Sequence, residues 1–275
     1  MHLMPGRRAA VLGRPIGHSR SPLLHTAAYH ALGLSDWTYE AIDCAAEDIA
    51  ALLARSGPEW AGFSVTMPVK RAALQQADHV APTAALVGAA NTLLRGVDGS
   101  WTADNTDVIG ILSSLRAVTF THETAAIIGA GGTAQAAVVA LGRLGLTQVD
   151  VIVREPARTI ELARTAHRVG VALSVYRIED AGPVFDRAGI VVSTLPAHAA
   201  DGMADRAWPA STVLLDAVYQ PRSTALLEAV HSRGGITIGG AEILLHQAAA
   251  QVHLMTGRAA PVEAMRVALD ADLAH

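Results

Sequence analysis

Residues 124–136 read Thr-Ala-Ala-Ile-Ile-Gly-Ala-Gly-Gly-Thr-Ala-Gln-Ala. A short apolar run enters Gly129, Gly131 and Gly132, and a run of helix formers follows. That order predicts a strand, a tight turn and a helix. It is the form in which a dinucleotide is held, with Gly129, Gly131 and Ala134 in the G-x-G-x-x-A positions. The first glycine permits the turn, the second lets backbone approach a pyrophosphate, and the small third residue lets helix pack on strand. The helix N-terminus attracts phosphate charge. The loop sits near the middle of a 275-residue chain. A different domain is therefore expected to come first and to hold the chemistry.

Outward from the loop, strand-like and helix-like runs alternate almost throughout, which predicts an α/β fold with mostly parallel sheets. On the N-terminal side, strands are expected at 9–12, 37–42 and 61–65, and two short ones at 91–94 and 100–103 around the turn Asp98-Gly99. Ser21-Pro22 predicts a helix start, with serine as N-cap and proline in the first helical position, running to Leu32 and stopping at Gly33. Further helices are expected over 47–55 and 69–78, and a helix over 108–115 is capped by Asp104-Asn105-Thr106-Asp107. On the C-terminal side, strands are expected at 125–128, 149–153, 171–176, 190–194, 213–217 and 237–238, with helices between them. Leu244, Leu245, Ala248, Val252 and Met255 have helical spacing within 241–256, and a last helix is expected over 261–271. These two helices need a surface, and packing back on the first domain would make that domain discontinuous.

Composition narrows the function. Hydrophobic content of 51% and charged content of 17% exclude a disordered chain. A net charge of −4 without a basic block excludes nucleic acid as the expected partner. No run of apolar residues reaches the roughly 18 that a membrane span needs, and Arg7 and Arg8 are followed by no long apolar segment, so no signal peptide is expected. The lone Cys44 suits a reducing compartment, and the expected location is cytoplasmic. Twelve histidines invite a metal reading, but none falls in an H-E-x-x-H or clustered Cys/His pattern, and no metal is expected.

Several polar residues fall where strands end and helices begin, the places where ligands gather in open α/β sheets. They are Ser19, Ser21, Thr66, Lys70, Asn91, Asn105 and Asp107, with Gln247 on the penultimate helix. Each also has a purely structural reading: Ser21 as a cap, Asp107 as a favourable charge at a helix N-terminus, Lys70 and Gln247 as solvated surface, Asn91 as a turn residue.

Taken together the chain resembles the shikimate dehydrogenase family. The resemblance rests on Gly17-His18-Ser19-Arg20-Ser21-Pro22, Ser64-Val65-Thr66-Met67-Pro68-Val69-Lys70 and Gly88-Ala89-Ala90-Asn91-Thr92-Leu93. It continues through Asp104-Asn105-Thr106-Asp107 with Gly110, the glycine loop, Tyr219-Gln220-Pro221-Arg222-Ser223-Thr224-Ala225-Leu226-Leu227, and Gly240 with Gln247. It implies a discontinuous substrate-binding catalytic domain over 1–106 and 240–275, and a Rossmann-type doubly wound NADP-binding domain over 107–239. It also implies reversible NADP-linked reduction of 3-dehydroshikimate to shikimate, in the route to aromatic amino acids. By the same resemblance Ser19 and Ser21 bind the substrate carboxylate. Thr66, Asn91, Asp107 and Gln247 bind its hydroxyls, and Tyr219 closes the substrate side. Lys70 transfers the proton, with Asp107 as its partner. Cofactor contacts are implied for Gly129, Ala130, Gly131, Gly132, Thr133, Arg154, Arg158, Ala217 and Gly240. A hinge near 104–116 and 238–242 would serve domain closure, and the chain is expected to be a monomer or homodimer.

Cofactor choice has its own argument. An NAD site usually carries Asp or Glu at the end of the second strand, but Asp150 stands at the start of its strand, which ends in Val151-Ile152-Val153-Arg154. Arg154 and Arg158 offer cationic forks for a 2′-phosphate, so NADP is expected over NAD, against the opposing Glu155. Ser64 stands where the family usually has asparagine, Val108 where glycine is frequent, and Ile243 where methionine is frequent. Alternatives are a quinate/shikimate dehydrogenase using NAD, or a non-catalytic dinucleotide-binding regulator on the same scaffold. The presence of both Lys70 and Asp107 speaks against the regulator. A methylene-tetrahydrofolate dehydrogenase type is opposed by the Ser-x-Ser pair and the Asn-Thr-Asp run.

Overall fold

The computed structural model describes residues 7–118 and 124–274. The chain divides into two compact units, Met1–Thr106 with Gln247–His275, and Asp107–His246.

The first unit contains the strands β1 (Arg8–Gly13), β2 (Thr38–Asp43), β3 (Trp60–Val65), β4 (His79–Val80), β5 (Thr92–Arg95) and β6 (Trp101–Asp104). They form one sheet in the order β2-β1-β3-β5-β6-β4. β1 is parallel to β2 and β3, whereas β5 is antiparallel to β3 and β6. The antiparallel β5–β6 pair follows from its turn. Asp98 Oδ1 accepts from the Ser100 amide (3.0 Å) and hydroxyl (2.7 Å), and Gly99 takes a φ of +87° that favours glycine. This hairpin sets Thr92 opposite Asp104, so Asn91 and Asn105-Thr106 leave the sheet side by side.

Alternation along β1 serves both faces of that sheet. Ala10 and Leu12 join Phe63, Leu93, Trp60 and Trp101 on one side, while Ala9 and Val11 join Tyr29, Tyr39 and Met255 on the other. The helices are α1 (Ser21–Ala31), α2 (Ile49–Arg55), α3 (Lys70–Gln76) and α4 (Pro82–Val87). Ser21 proves to be the first helical residue rather than the cap; Arg20 holds the cap position. The Ser19 hydroxyl meets the Ser21 amide instead (3.3 Å), so the capping function moves two residues upstream. β4 and α4 are absent from the sequence reading. Six residues give too little periodicity to register as a helix, although Pro82 at its start and Gly88 at its end, with φ +79°, are the usual punctuation.

The second unit begins with α5 (Asp107–Arg116) and continues with β7 (Ala125–Ile128), α6 (Gly132–Arg143), β8 (Gln148–Val153), α7 (Ile160–Val169) and β9 (Ala172–Arg177). After α8 (Gly182–Arg187) come β10 (Ile190–Ser193), β11 (Val213–Asp216), α9 (Ala225–Ser232) and β12 (Ile236–Ile238). The sheet order is β12-β11-β10-β7-β8-β9, parallel throughout. Its central strands are wholly buried and read Ala-Ala-Ile-Ile, Ile-Val-Val-Ser and Val-Leu-Leu-Asp, as strands covered on both faces must. The strand order reverses at β7, the doubly wound arrangement whose ligands bind at that switch point.

α10 (Gly240–Thr256) belongs to the second unit up to His246 and to the first from Gln247. Its last turns pack in the first unit through Met255. α11 (Val262–Leu273) lies against α1, where Arg20 pairs with Asp272 at 2.7 Å. The expected return of the C-terminal helices to the first unit is thus observed.

Candidate active site

In the second unit β7 delivers the chain to Gly129, whose φ of +110° lies in the region that favours glycine. A Cβ there would also collide with Thr194 Oγ1. Thr194 follows β10, and its hydroxyl donates to the Ile128 carbonyl at 2.8 Å, pinning the two switch-point strands where the loop leaves. Gly131 caps α6, and a Cβ on Gly131 or Gly132 would meet nothing within 4 Å. Together with Ala130 and Thr133 they leave the first amides of a 12-residue helix open to an anion. Ala134 is wholly buried where helix meets strand. This cradle fits a dinucleotide pyrophosphate.

Past β8, Arg154, Glu155 and Arg158 are exposed around the short turn Pro156–Thr159, and the Arg154 carbonyl accepts from Arg177 (3.4 Å). Asp150, the carboxylate at the start of the strand, is bound to Arg187 at 2.7 Å. It is engaged within the fold. Beyond β11, a Cβ on Gly240 would run into the Ala217 carbonyl, and the Gly240 amide donates to Val218 (3.0 Å). Only glycine lets α10 start against that loop. Asp216, just before it, accepts from the Thr224 hydroxyl (2.7 Å), and burial raises its pKa. Ala217, Tyr219 and Asp107 are half-buried, Asp107 as the first residue of α5.

In the first unit the sequence-predicted polar residues converge at the strand ends. Thr66 leaves β3 with its amide on the Leu12 carbonyl (2.8 Å) and its carbonyl on the Val69 amide (2.9 Å). Lys70 opens α3, half-buried, and its carbonyl accepts from Ala90 (2.9 Å), which sets it one residue from Asn91. Asn91 is buried at the head of β5. Its Oδ1 accepts from the Thr106 amide (2.7 Å) and the Thr92 hydroxyl (2.8 Å), and its Nδ2 reaches Thr106 Oγ1 (3.0 Å) and Gln247 Oε1 (3.4 Å). Asn105 donates to the Ala89 carbonyl (2.9 Å), holding this corner closed.

A second group of residues escaped the sequence reading. Gln251 lies four residues after Gln247, one turn along the same face of α10. Its amide nitrogen donates to the Asn91 carbonyl (3.1 Å) and to Thr92 Oγ1 (3.0 Å). Its oxygen accepts from Ser64 (2.7 Å), which in turn accepts from Tyr39 (2.6 Å). Ser64, which stands where the family usually has asparagine, is 3% exposed and bonded on both sides within the fold. His25 stacks on Tyr39 at 4.0 Å between ring centroids and approaches Gln251 at 3.4 Å. Burial drives its pKa down to about 3, so it is a neutral ring, and burial pushes the Tyr39 hydroxyl above its ordinary value despite the bond to Ser64. Only a spacing of four on a helix hinted at Gln251; nothing local marks Tyr39 or Thr92.

Among the described residues no group of three or more His, Cys, Asp or Glu side chains could hold a metal, and no helix is long and apolar enough to cross a membrane.

A glycine cradle at the switch point of a parallel sheet, in a chain whose other unit gathers hydroxyl and carboxamide groups around Asn91, is the arrangement of a two-unit dinucleotide-dependent oxidoreductase. Comparison with known proteins gives the family. Residues 11–93 match the shikimate dehydrogenase substrate binding domain, and residues 240–269 the shikimate 5′-dehydrogenase C-terminal domain. Shikimate dehydrogenase (NADP(+)) of Synechocystis sp. is 35% identical over 272 residues, 94% of this chain and 93% of that protein. The crystal structure of Mycobacterium tuberculosis shikimate dehydrogenase is 48% identical with a TM-score of 0.87, over 96% of this chain and 99% of that one. The Thermus thermophilus shikimate 5-dehydrogenase in complex with NADP(H) and shikimate is 31% identical with a TM-score of 0.81, over 96% and 99%. The chain belongs to the shikimate dehydrogenase family.

Proposed function

We infer that this chain is an NADP-dependent shikimate dehydrogenase, interconverting 3-dehydroshikimate and shikimate. The observation that carries the reading is likeness along nearly the whole chain to enzymes of that activity, and the hydrogen bonds of Asn91 to Gln247 and Thr106 support it. The substrate presents one carboxylate and several hydroxyls. The hydroxyls of Ser19 and Ser21, at the start of α1, suit the carboxylate. Thr66, Asn91 and Gln247 hydrogen-bond the ring hydroxyls, and Tyr219 closes the substrate side. Lys70 Nζ gives a proton to the substrate's carbonyl oxygen during reduction and takes it back during oxidation. Asp107 orients that ammonium and holds the same oxygen.

NADPH, when bound, supplies the hydride. The backbone of Gly129, Ala130, Gly131, Gly132 and Thr133 would hold its pyrophosphate. Arg154 and Arg158 would hold its 2′-phosphate, and Ala217 and Gly240 would contact its nicotinamide side. The substrate domain comprises 1–106 and the C-terminal helices, with the dinucleotide domain between. A single free cysteine, Cys44, supports a cytoplasmic location.

The test is a matrix of kcat/KM values for purified protein with shikimate and quinate, each with NADP and NAD. Shikimate with NADP is expected to give the highest value. A higher value with quinate or with NAD would contradict the reading.

A further inference from the structure

Two backbone groups fix the polarity of the buried hydrogen-bond network, because a main-chain carbonyl cannot donate and a main-chain amide cannot accept. The Asn91 carbonyl obliges Gln251 to present its NH2 group there, at 3.1 Å. The Gln251 oxygen therefore faces Ser64, which must donate to it at 2.7 Å and accept from Tyr39 at 2.6 Å. The second N–H of Gln251 meets a lone pair of Thr92 Oγ1 at 3.0 Å, which turns the threonine proton toward Asn91 Oδ1 at 2.8 Å. The Thr106 amide independently requires that same atom to be oxygen, at 2.7 Å. Asn91 is thus held with its oxygen inward and its NH2 group between Thr106 Oγ1 (3.0 Å) and Gln247 Oε1 (3.4 Å), the longer contact on the Gln247 side. At the other end the network closes on Tyr39, whose ring stacks on His25 at 4.0 Å.

We propose that Gln251 is a positioning residue for substrate recognition. It locks Asn91 as a hydrogen-bond donor through Thr92 and ties that residue, by way of Ser64, to Tyr39. The substrate oxygen that Asn91 contacts is therefore read as an acceptor. Ser64, where relatives usually carry asparagine, is an internal link in this chain and its partner is Gln251. The inference rests on the substrate role proposed above for Asn91.

The experiment compares Gln251→Leu, Thr92→Val and the double variant with the wild type, in shikimate oxidation with saturating NADP. Gln251→Leu is expected to raise KM for shikimate roughly tenfold with kcat changed less than about threefold. The KM for NADP and the melting temperature serve as controls on the dinucleotide site and the fold, and the KM for NADP is expected to be unchanged. Because Gln251 acts through Thr92, the double variant is expected to be little worse than Gln251→Leu alone. Should Gln251→Leu not fold, Tyr39→Phe removes one hydroxyl from the far end of the network and is expected to raise KM for shikimate by about two- to threefold. An unchanged KM for shikimate in folded variants, or penalties that simply multiply in the double variant, would overturn the proposal. A wild type inactive on shikimate would instead overturn the functional reading, so the two failures are distinct.

Discussion

His25 is a base kept neutral by burial, and that has a cost in acid. Its pKa in the folded protein is about 3, against 6.5 for a free imidazole. The unfolded chain therefore takes up a proton from about pH 6.5 downward while the folded chain does not. Its contribution to stability is complete above 6.5 and is lost as pH falls toward 3, at about 1.4 kcal/mol per pH unit. Urea melts between pH 7 and 4.5 should show that slope in the wild type and a shallower one in His25→Gln; equal slopes would contradict the assignment. In the proposed function Lys70 carries the proton transfer. Lys70→Ala should lower kcat by about 10²–10⁴-fold and leave NADP binding intact, as equilibrium titration of the cofactor would show. Turnover near the wild-type level in that variant would remove Lys70 from the proton transfer. Residues of this kind are legible in sequence because they sit in short motifs. Gln251 is not, since its role depends on Asn91 and Thr92, 160 and 159 positions away. Tyr39 reads as an ordinary strand aromatic until Ser64 is found against it.

At the level of elements, turns decide where chemistry goes. The glycine loop was readable because its requirements are local: a positive φ at Gly129, open space at Gly131 and Gly132, and a small residue at Ala134. The corner that joins Asn91 to Thr106 was only half readable. The Asp98-Gly99 turn predicts a hairpin, but the register that sets Thr92 opposite Asp104 emerges from strand pairing. α4 went unread for lack of length, and the start of α1 shifted by one residue because Ser19 rather than Ser21 supplies the capping oxygen. The turn after β8 carries its own prediction. Arg154 and Arg158 are exposed beside Glu155, and replacing both arginines with alanine should raise KM for NADP more than about tenfold while leaving KM for NAD within about twofold, since each lost charge-assisted bond to a phosphate is worth about 1.5–3 kcal/mol. Equal effects on both cofactors would show that these arginines do not read the 2′-phosphate.

On the scale of the molecule, each unit has its own sheet and its own core, and the sequence announced both through alternating strand and helix runs around a mid-chain glycine loop. The second sheet was legible as parallel because its central strands are apolar on both faces. In the first, the Asp98-Gly99 hairpin was legible, but the antiparallel join of β5 to β3 was not, since period-two alternation is blind to strand direction. The functional account assigns substrate groups to the first unit, the dinucleotide to the second, and one proton-transfer couple, Lys70 and Asp107, to residues from both. A crystal structure of the complex with NADP and shikimate tests that assignment most directly. The account predicts the shikimate carboxylate on the hydroxyls of Ser19 and Ser21, and one ring hydroxyl within hydrogen-bond reach of both Lys70 Nζ and the Asp107 carboxylate. Shikimate bound with Lys70 and Asp107 both out of reach of its hydroxyls would contradict it.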